Sequence, residues 1–257
     1  MLLTYLLLLV LGAVFGSFIS AYSYRWPRGI SISTGRSFCP NCKAKISWYD
    51  NIPLLSYLVL GGKCRKCKKR ISARYPLIEL STGILFVLTI FSMGGFGVLE
   101  LLPATYYLLL TAVLITILVI DLENKLIPDE LTFLIFSTSF LFLLLSPAPN
   151  FYSVLFAGFL AATFFLFLNI ITRGRGMGLG DVKLVLALSL SFLNWQFLVL
   201  WLFLSFAIGA VIGIFLIIIG KAKFGKEIPF GPFLIASFFI TLFWGDFLVK
   251  FLFPYLF

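Results

Sequence analysis

Long apolar stretches recur along the whole chain, and polar segments separate them. Most of these stretches approach the roughly 20 residues that a helix needs to cross the hydrocarbon of a bilayer. We therefore predict an all-α polytopic membrane protein with about eight transmembrane helices. The predicted spans are Leu2–Tyr22, Pro76–Phe96, Leu101–Ile120, Leu131–Leu145, Val154–Ile171, Val182–Leu193, Trp195–Ile219 and Phe230–Phe243. The last stretch, Trp244–Phe257, contains aromatic residues and Lys250, which favour a position along the membrane interface.

The composition supports this class and excludes several kinds of chemistry. Of the 257 residues, 61% are hydrophobic and only 12% are charged, whereas a soluble domain is about half apolar and about one quarter charged. The chain contains no histidine. Catalysis by a histidine base and metal binding by imidazole are therefore excluded.

The basic residues predict an orientation in the membrane. The segment from Arg25 to Arg74 contains 12 of the 20 Lys and Arg residues and a single acid, Asp50. Because positive loops stay in the cytoplasm, we predict that this segment is cytoplasmic and that both termini lie outside. Asp121 and Asp181 then lie on the same cytoplasmic side. The net charge of +10 reflects this topology and attraction to anionic lipid, and it does not require a nucleic-acid partner.

The one long polar segment, residues 24–75, contains all four cysteines of the chain. Cys39 and Cys42 form one C-x2-C pair, and Cys64 and Cys67 form a second pair, with 21 residues between the two pairs. Disulfides are rare in a reducing cytoplasm, and four thiolates are a common tetrahedral set for structural zinc. We predict a zinc site that holds this small segment folded, because so short a segment has little core of its own.

One acid stands early in the second predicted span. Glu79 either pairs with Arg74 or faces a polar cavity, and the sequence leaves both interpretations open.

Two aspartates at the ends of apolar runs are the candidate catalytic residues. Asp121 directly follows Leu118-Val119-Ile120, and Asp181 follows Gly178 and Gly180 in the stretch GMGLGD. A carboxylate next to hydrocarbon is costly and therefore indicates function. Helix capping is the alternative for an aspartate at a helix start, and we assign Asp129 that role before the fourth span.

A pair of such aspartates is suited to peptide hydrolysis. Two carboxylates that share one proton can act as base toward water and as acid toward the carbonyl oxygen. The glycines beside Asp181 leave room for an extended substrate strand. A helix N-terminus favours the ionised form of Asp181 and a helix C-terminus disfavours that of Asp121, so we predict Asp181 as base and Asp121 as acid.

Five stretches together resemble the bacterial type IV prepilin peptidases, which are aspartic proteases with a GxGD motif. The stretches are GSFISAYSYRWPRG, SFCPNCKAKISWYDNIPLLSYLVLGGKCRKCKKRISARYPLIEL, IDLENKLIPDELT, GMGLGDVK and IPFGPFL. The resemblance covers nearly the whole chain, and the motifs occur in the order of the family.

The resemblance implies a two-step activity at the cytoplasmic face of the bacterial inner membrane. It implies cleavage of the basic leader of type IV prepilins or pseudopilins after a glycine by Asp121 and Asp181. It further implies methylation of the new N-terminus with S-adenosylmethionine, zinc at the four cysteines, and a role in methylation for Gly62. The corresponding domains are a first helix (1–23), a zinc-binding domain linked to methylation (24–75) and a peptidase domain (76–257).

Other classes of function remain open at this point. One alternative is a peptidase that lacks methyltransferase activity. A transporter with a zinc-stabilised loop would require repeat symmetry and polar residues at the membrane centre, which are not evident. A structural scaffold would not require the glycine-rich segment at Asp181. The sequence leaves the oligomeric state undetermined.

Overall fold

The computed structural model describes residues 2–32, 35–95, 101–146, 151–174, 176–220 and 229–252. In this part of the chain the structure is helical, and β-pairing is limited to the isolated bridges Phe38–Lys45 and Lys63–Arg70. The α-helices are α1 (Leu2–Arg25), α2 (Leu55–Val59), α3 (Arg74–Ser92), α4 (Leu101–Asn124), α5 (Asp129–Leu145), α6 (Phe151–Ile171), α7 (Leu179–Ser189), α8 (Trp195–Ile218) and α9 (Gly231–Leu252).

Each of the eight predicted apolar segments contains a helix, which confirms the predicted all-α class. Six of these helices are long and apolar enough to cross a membrane: α1, α3, α4, α6, α8 and α9. Helix α5 has 17 residues and α7 has 11. At about 1.5 Å per residue, α7 is about 17 Å long and cannot by itself cross a hydrocarbon layer of about 30 Å. The prediction that Val182–Leu193 forms a full span is therefore wrong.

The end of the chain also differs from the prediction. Residues Trp244–Leu252 continue α9 without a break instead of forming a separate interfacial segment. The remaining residues of the predicted interfacial stretch lie outside the described part of the chain. The apolar pattern predicted the start of α9 to within one residue, but its long C-terminal extension includes Asp246 and Lys250.

The chain forms two compact units, residues 1–120 and 121–257. The boundary falls within α4, directly before Asp121. The predicted division at residues 24 and 76 is a finer one and stays a prediction.

In the first unit, α1 and α3 pack against each other with their backbones in close contact. Gly12 and Gly16 of α1 face Gly83 and Glu79 of α3. A Cβ added at Gly12 would lie 2.7 Å from the Gly83 Cα, and one added at Gly16 would lie 2.6 Å from the Glu79 Cα. This is the small-xxx-small arrangement that lets membrane helices gain van der Waals contact where lipid provides no hydrophobic drive.

The core of the first unit continues from this contact into α4. Its buried apolar side chains come from all three helices and are Ile19, Ile78, Phe86, Ala112 and Ile115. Polar groups within the core are satisfied locally. For example, the Thr82 hydroxyl donates to the Ile78 carbonyl at 2.6 Å, as is required where no water is available.

In the second unit, the short helix α7 is enclosed by longer helices. It packs on α5 and α6 and also contacts α9. Its residues Leu184, Val185 and Leu188 are fully buried. The Gly158 position of α6 lies directly on the Ser189 hydroxyl, so a glycine is needed there. A helix that does not span the bilayer, and the irregular backbone that follows it, are tolerated at this depth because protein surrounds them.

The other side of this unit is an aromatic core. Trp201 of α8 is fully buried, and its indole N–H donates to the Leu234 carbonyl at 2.8 Å. Phe192 lies between Trp201 and Phe238 at ring distances of 5.4 and 5.3 Å. These contacts join the segment after α7 to both α8 and α9, and so fix the position of α7.

We predict that Gly12→Val destabilises the first unit. The new side chain must displace the α3 backbone, and such overpacking costs about 1–3 kcal/mol. Thermal unfolding in detergent should show a lower midpoint than that of the unmodified protein. Gly213→Val is the matched control, because Gly213 is also helical and has no neighbour within 4 Å of an added Cβ. Equal effects of the two substitutions would contradict the close contact of α1 and α3.

Candidate active site and metal site

Asp121 lies in the last turn of α4. The helix continues four residues beyond the predicted end of the span, and Lys125, at φ 55°, closes it by donating its N–H to the Asp121 carbonyl at 2.9 Å. The Asp121 side chain is only 4% exposed. Its Oδ2 atom has no hydrogen-bond partner among the described residues. A buried carboxylate oxygen without a partner is costly and is characteristic of a functional group.

Asp181 lies in the first turn of α7 and is 7% exposed. The helix begins at Leu179 with Gly178 as its N-cap, so Asp181 is the third helical residue and not the N-cap. Its Oδ2 accepts a hydrogen bond from the Gly178 N–H at 3.0 Å. This bond and the N-terminal end of the helix both favour a negative charge on Asp181.

The fold brings Asp121 and Asp181 close enough for their charges to interact, and we call this pair the dyad. Ile127 lies at the point where the elements meet. A Cβ added at Gly180 would be 3.0 Å from the Ile127 Cβ, and one added at Gly231 would be 3.3 Å from the Ile127 Cδ1. The same Cβ at Gly231 would collide with the Asp121 Oδ2. Bare backbone from the starts of α7 and α9 therefore borders the dyad.

The glycine-rich segment before Asp181 is held by the end of α6. Asn169 donates its side-chain N–H to the Met177 carbonyl at 2.5 Å, and its backbone carbonyl accepts the Gly174 N–H at 2.8 Å. Asn169 thus fixes the loop that positions Gly178 and Asp181.

Sequence reasoning did not identify Asn169, Ile127 or Gly231 as parts of this site. The available signal for Gly231 was its place in IPFGPFL, directly before Pro232 in the first turn of α9. Asn169 could have been singled out as the only amide within the apolar sequence of α6. Ile127 carried no signal, because its importance depends on two backbones that approach it from distant parts of the chain.

The structure corrects the prediction for Asp129. This residue is the first of α5, the N-cap is Pro128, and no side-chain cap is formed. Instead, the Asp129 carboxylate accepts hydrogen bonds from Lys183 Nζ at 2.7 and 2.8 Å. Both side chains are exposed, so this ion pair between α5 and α7 contributes little to stability.

Burial raises the pKa of Asp181 to about 6, although the Gly178 N–H opposes this shift. Asp181 lies outside the six candidate spans. A carboxyl with this pKa is ionised at neutral pH and can still accept a proton in the reaction, which suits a general base.

The four predicted metal ligands come together in the first unit. The sulfur atoms of Cys39, Cys42, Cys64 and Cys67 all lie within 4.8 Å of one another, and all four thiols are free. Cys39 Sγ and Cys67 Sγ are 4.0 Å apart. Tetrahedral zinc with Zn–S bonds of about 2.3 Å places two sulfurs roughly 3.8 Å apart. The donor set therefore fits zinc in number, chemistry and spacing.

Two equivalent turns build this cluster. In the first turn, the Cys39 N–H bonds to the Ala44 carbonyl at 2.9 Å and the Lys43 N–H bonds to the Cys39 carbonyl at 2.9 Å. In the second, the Cys64 N–H bonds to the Lys69 carbonyl at 2.9 Å and the Lys68 N–H bonds to the Cys64 carbonyl at 3.0 Å. Lys43 and Lys68 both have φ of 58°.

The second turn affects its two thiols differently. The backbone N–H groups of Cys67 and Lys66 lower the pKa of the Cys64 thiol to about 7. The Lys69 N–H lowers the pKa of Cys67, but burial and hydrogen bonds with the other cysteines outweigh it and raise that pKa to about 11. Metal binding requires the thiolate form, so the turn favours the ligand form of Cys64 alone.

Gly62 lies directly before this turn, in a left-handed conformation with φ of 66°. Its carbonyl accepts the Ile71 N–H at 2.7 Å. A Cβ at this position would lie 3.0 Å from the Tyr57 hydroxyl oxygen. Gly62 is therefore required both by its backbone angle and by Tyr57.

Comparisons with known proteins agree with this architecture. Residues 10–93 match the bacterial peptidase A24 N-terminal domain, and residues 108–214 match the type IV leader peptidase family. A prepilin leader peptidase/N-methyltransferase of Aeromonas salmonicida is 41% identical over 216 residues, which is 82% of this chain and 72% of the relative. The chain belongs to the prepilin leader peptidase/N-methyltransferase family.

Other members of this family match over more of their length. The protein of Stutzerimonas stutzeri is 35% identical over 93% of this chain and 90% of its own length. That of Vibrio cholerae is 36% identical over 91% of this chain and 94% of its own length. No solved structure matches the chain significantly.

We predict that Asp121→Asn and Asp181→Asn each reduce prepilin cleavage by at least about a thousandfold, because an amide cannot exchange the catalytic proton. Cleavage of a purified prepilin in detergent is the measurement. Asp129→Asn is the matched control and should retain near-normal cleavage, since it loses only an exposed ion pair. Normal cleavage by either dyad variant would refute the assignment of that aspartate.

We also predict about one zinc per chain in protein purified without chelator, measured by elemental analysis. Cys39→Ser and Cys64→Ser should each lose the metal and make residues 24–75 more sensitive to protease. Ala44→Ser introduces a hydroxyl into the same turn without removing a sulfur, and it should retain zinc. Disulfide-bonded cysteines in metal-free protein would contradict the predicted site.

Proposed function

We propose that this chain cleaves the leader of type IV prepilins or pseudopilins at Asp121 and Asp181 and then methylates the new N-terminus. The observation that supports the peptidase most directly is the pair of buried, interacting carboxylates bordered by bare backbone at Gly180 and Gly231. Membership of the family supports the substrate class and both activities.

The environments of the two aspartates support different roles in hydrolysis. Asp181 accepts the Gly178 N–H and sits in the first turn of α7, so it carries the negative charge and removes a proton from water. Asp121 ends α4 and holds an unpartnered Oδ2, so it carries the proton and donates it to the scissile carbonyl. When the tetrahedral intermediate collapses, Asp181 passes the proton taken from water to the leaving amine, and a hydroxyl of the intermediate returns a proton to Asp121. The dyad therefore again holds one shared proton after each cleavage.

The glycines provide access for the substrate strand. A substrate for peptide hydrolysis must lie extended across both carboxylates, and side chains at Gly178 or Gly180 would fill the space beside Asp181. A side chain at Gly231 would collide with the Asp121 Oδ2, so a glycine is also needed beside the second acid.

Zinc is proposed as a structural ion. All four positions of a tetrahedral site are filled by thiolates, so no position remains for water or substrate. The surrounding lysines and arginines offset the negative charge of such a site. The metal would hold the two cysteine turns together and so fix the segment between them, which includes α2 and Gly62.

Methyl transfer requires a second site and a second substrate. The freed N-terminal amine attacks the methyl carbon of S-adenosylmethionine, the carbon–sulfur bond breaks, and S-adenosylhomocysteine leaves while the amine loses a proton. We propose that Gly62 supports methyl transfer because it shapes the turn that leads into Cys64, in the same segment as the cysteine turns.

The proposed location is the bacterial cytoplasmic membrane, in contact with lipid. The basic segment from Arg25 to Arg74 supports a cytoplasmic position for the cysteine cluster and, with it, for the dyad. The apolar helix of a pilin can lie in the same bilayer, which places its scissile bond at the membrane boundary.

Incubation of the purified protein with a prepilin and S-adenosylmethionine tests this function. Mass spectrometry should find a mature pilin that has lost its leader and gained one methyl group. A cleaved but unmethylated product would support the alternative of a peptidase without methyltransferase activity. An intact prepilin would contradict the proposed function.

We predict that Gly62→Val retains cleavage and loses methylation. The valine would be strained at φ of 66° and would displace Tyr57, whereas the dyad belongs to the other unit. Gly61→Val is a matched control, since Gly61 has φ of 57° and no neighbour within 4 Å of an added Cβ. It imposes the same backbone strain without moving Tyr57. Full methylation by Gly62→Val would show that the position acts only as a turn.

A further inference from the structure

A cavity of about 230 Å³ lies in the first unit, between the ends of α1 and α3 and the cysteine-containing segment. It belongs neither to the dyad nor to the interior of the metal cluster, although Cys39 and Cys64 form part of its wall. Ligand sites are typically cavities with an apolar lining and a few well-placed polar groups. The chemistry of this lining selects the ligand.

A buried carboxylate lies at the membrane-helix end of this cavity. Glu79 of α3 is 8% exposed and lines the cavity. The sequence left open whether it pairs with Arg74, and the structure gives it other neighbours. Its Oε2 accepts the Leu54 N–H at 2.7 Å, and Ser17 of α1 also interacts with the carboxylate. No lysine or arginine pairs with Glu79 within the described ranges.

The second acid of the lining is already neutralised. Asp50 accepts two hydrogen bonds from Arg65, from Nε at 2.8 Å and from Nη2 at 2.7 Å. Within a strongly basic segment, Glu79 is therefore the one acid of the cavity wall without a cationic partner among the described residues. A buried carboxylate of this kind is an attractive site for a ligand cation.

The rest of the lining fits the other parts of such a ligand. Tyr24, Phe38 and Tyr75 each have an arginine or lysine over the ring, at 4.1–5.8 Å from its centroid. Tyr57 also lines the cavity, and no such cation lies over its ring in the described structure. An aromatic face of this kind can stack with a purine or attract a sulfonium.

Two lysines complete the set. Lys45 and Lys66 belong to the lining and have no ion-pair partner in the described part of the chain, so they can receive a carboxylate. A purine, a central cation and a carboxylate are the recognition elements of S-adenosylmethionine.

We infer that this cavity binds S-adenosylmethionine, with Glu79 facing the sulfonium, Tyr57 beside the adenine and the lysines at the carboxylate. The inference rests on the proposed methyl transfer and adds the residues that hold the methyl donor. It also explains Gly62, since a side chain there displaces Tyr57 from the cavity wall. Loss of zinc should abolish binding as well, because Cys39 and Cys64 shape the same wall.

Glu79 has two separable properties, its charge and its anchoring of the Leu54 loop. Leu54 has φ of 59° and ψ of −49°, an uncommon conformation for a leucine that the Glu79 hydrogen bond stabilises. Glu79→Gln keeps an oxygen that can accept the Leu54 N–H but removes the charge. Glu79→Ala removes both. The two variants therefore distinguish recognition of a cation from positioning of the loop.

Equilibrium dialysis on the zinc-loaded protein in detergent tests the inference with two probes, S-adenosylmethionine and S-adenosylhomocysteine. The second probe lacks the sulfonium charge. Glu79→Gln should weaken binding of S-adenosylmethionine by about tenfold or more and change binding of S-adenosylhomocysteine little. Glu79→Ala should weaken both. Asp246→Asn, which removes a carboxylate from α9, should change neither.

Two results of the dialysis experiment would overturn the inference. If Glu79→Gln weakens both probes equally, the residue positions the loop and does not recognise the cation. If the Glu79→Gln protein binds S-adenosylmethionine normally, the donor binds elsewhere.

Ultraviolet crosslinking of S-adenosylmethionine to the unmodified protein gives an independent readout. The adduct should map to peptides that line the cavity. An adduct outside residues 17–79 would overturn the inference.

Different results would contradict the proposed function itself. If the unmodified protein neither binds S-adenosylmethionine nor methylates the pilin, the methyltransferase assignment is wrong together with the site. If it methylates while Glu79→Gln binds the donor normally, only the location of the site is wrong. Cleavage of the prepilin by both Glu79 variants confirms that they are folded in either case.

Discussion

Two buried carboxylates, Asp121 and Asp181, interact at helix ends, and the packing of the second unit keeps both of them out of water. Asp121 and Asp181 have almost no exposure to water, so their environment has to be supplied by protein. The backbone of the GMGLGD segment provides one hydrogen bond, and the glycines at the starts of α7 and α9 allow their backbones to pack closely around Ile127 and Asp121. The hydrogen bond reduces the free-energy cost of burying these carboxylates. The burial that remains still makes the two acids differ from ordinary surface aspartates.

The burial of Asp181 accounts for the unusual form of α7. An 11-residue helix is long enough to place Asp181 in the dyad. It does not also have to cross the bilayer, as a full-length span would. The enclosing helices α5 and α6 protect its backbone from lipid, and Phe192 anchors the segment that follows to Trp201 and Phe238. The position of Asp181, the proposed catalytic base, is thus set by a short, buried helix that packs on longer ones.

The first unit also combines close backbone packing with a buried acid, and there both features lie beside the cavity. Gly12 and Gly16 bring α1 and α3 into backbone contact, and Glu79 on that interface reaches the loop that contains Leu54. The two cysteine turns close the other wall of the cavity. A single bound metal could therefore order a segment that has little hydrophobic core. Helix α3 provides Glu79, the one acid of the cavity wall that has no cationic partner among the described residues.

The sequence by itself determined the helical membrane class, the two aspartates and the four cysteines as candidates, and the approximate position of every long helix. These features follow from composition and local spacing, which the chain displays directly. Tertiary structure decided that α7 stops short, that Asp129 pairs with Lys183 instead of capping α5, and that Glu79 bonds to Leu54. It also decided the roles of Asn169, Ile127 and Gly231. Each of these depends on contact between residues far apart in the chain, and no local pattern of apolar and polar positions carries that information.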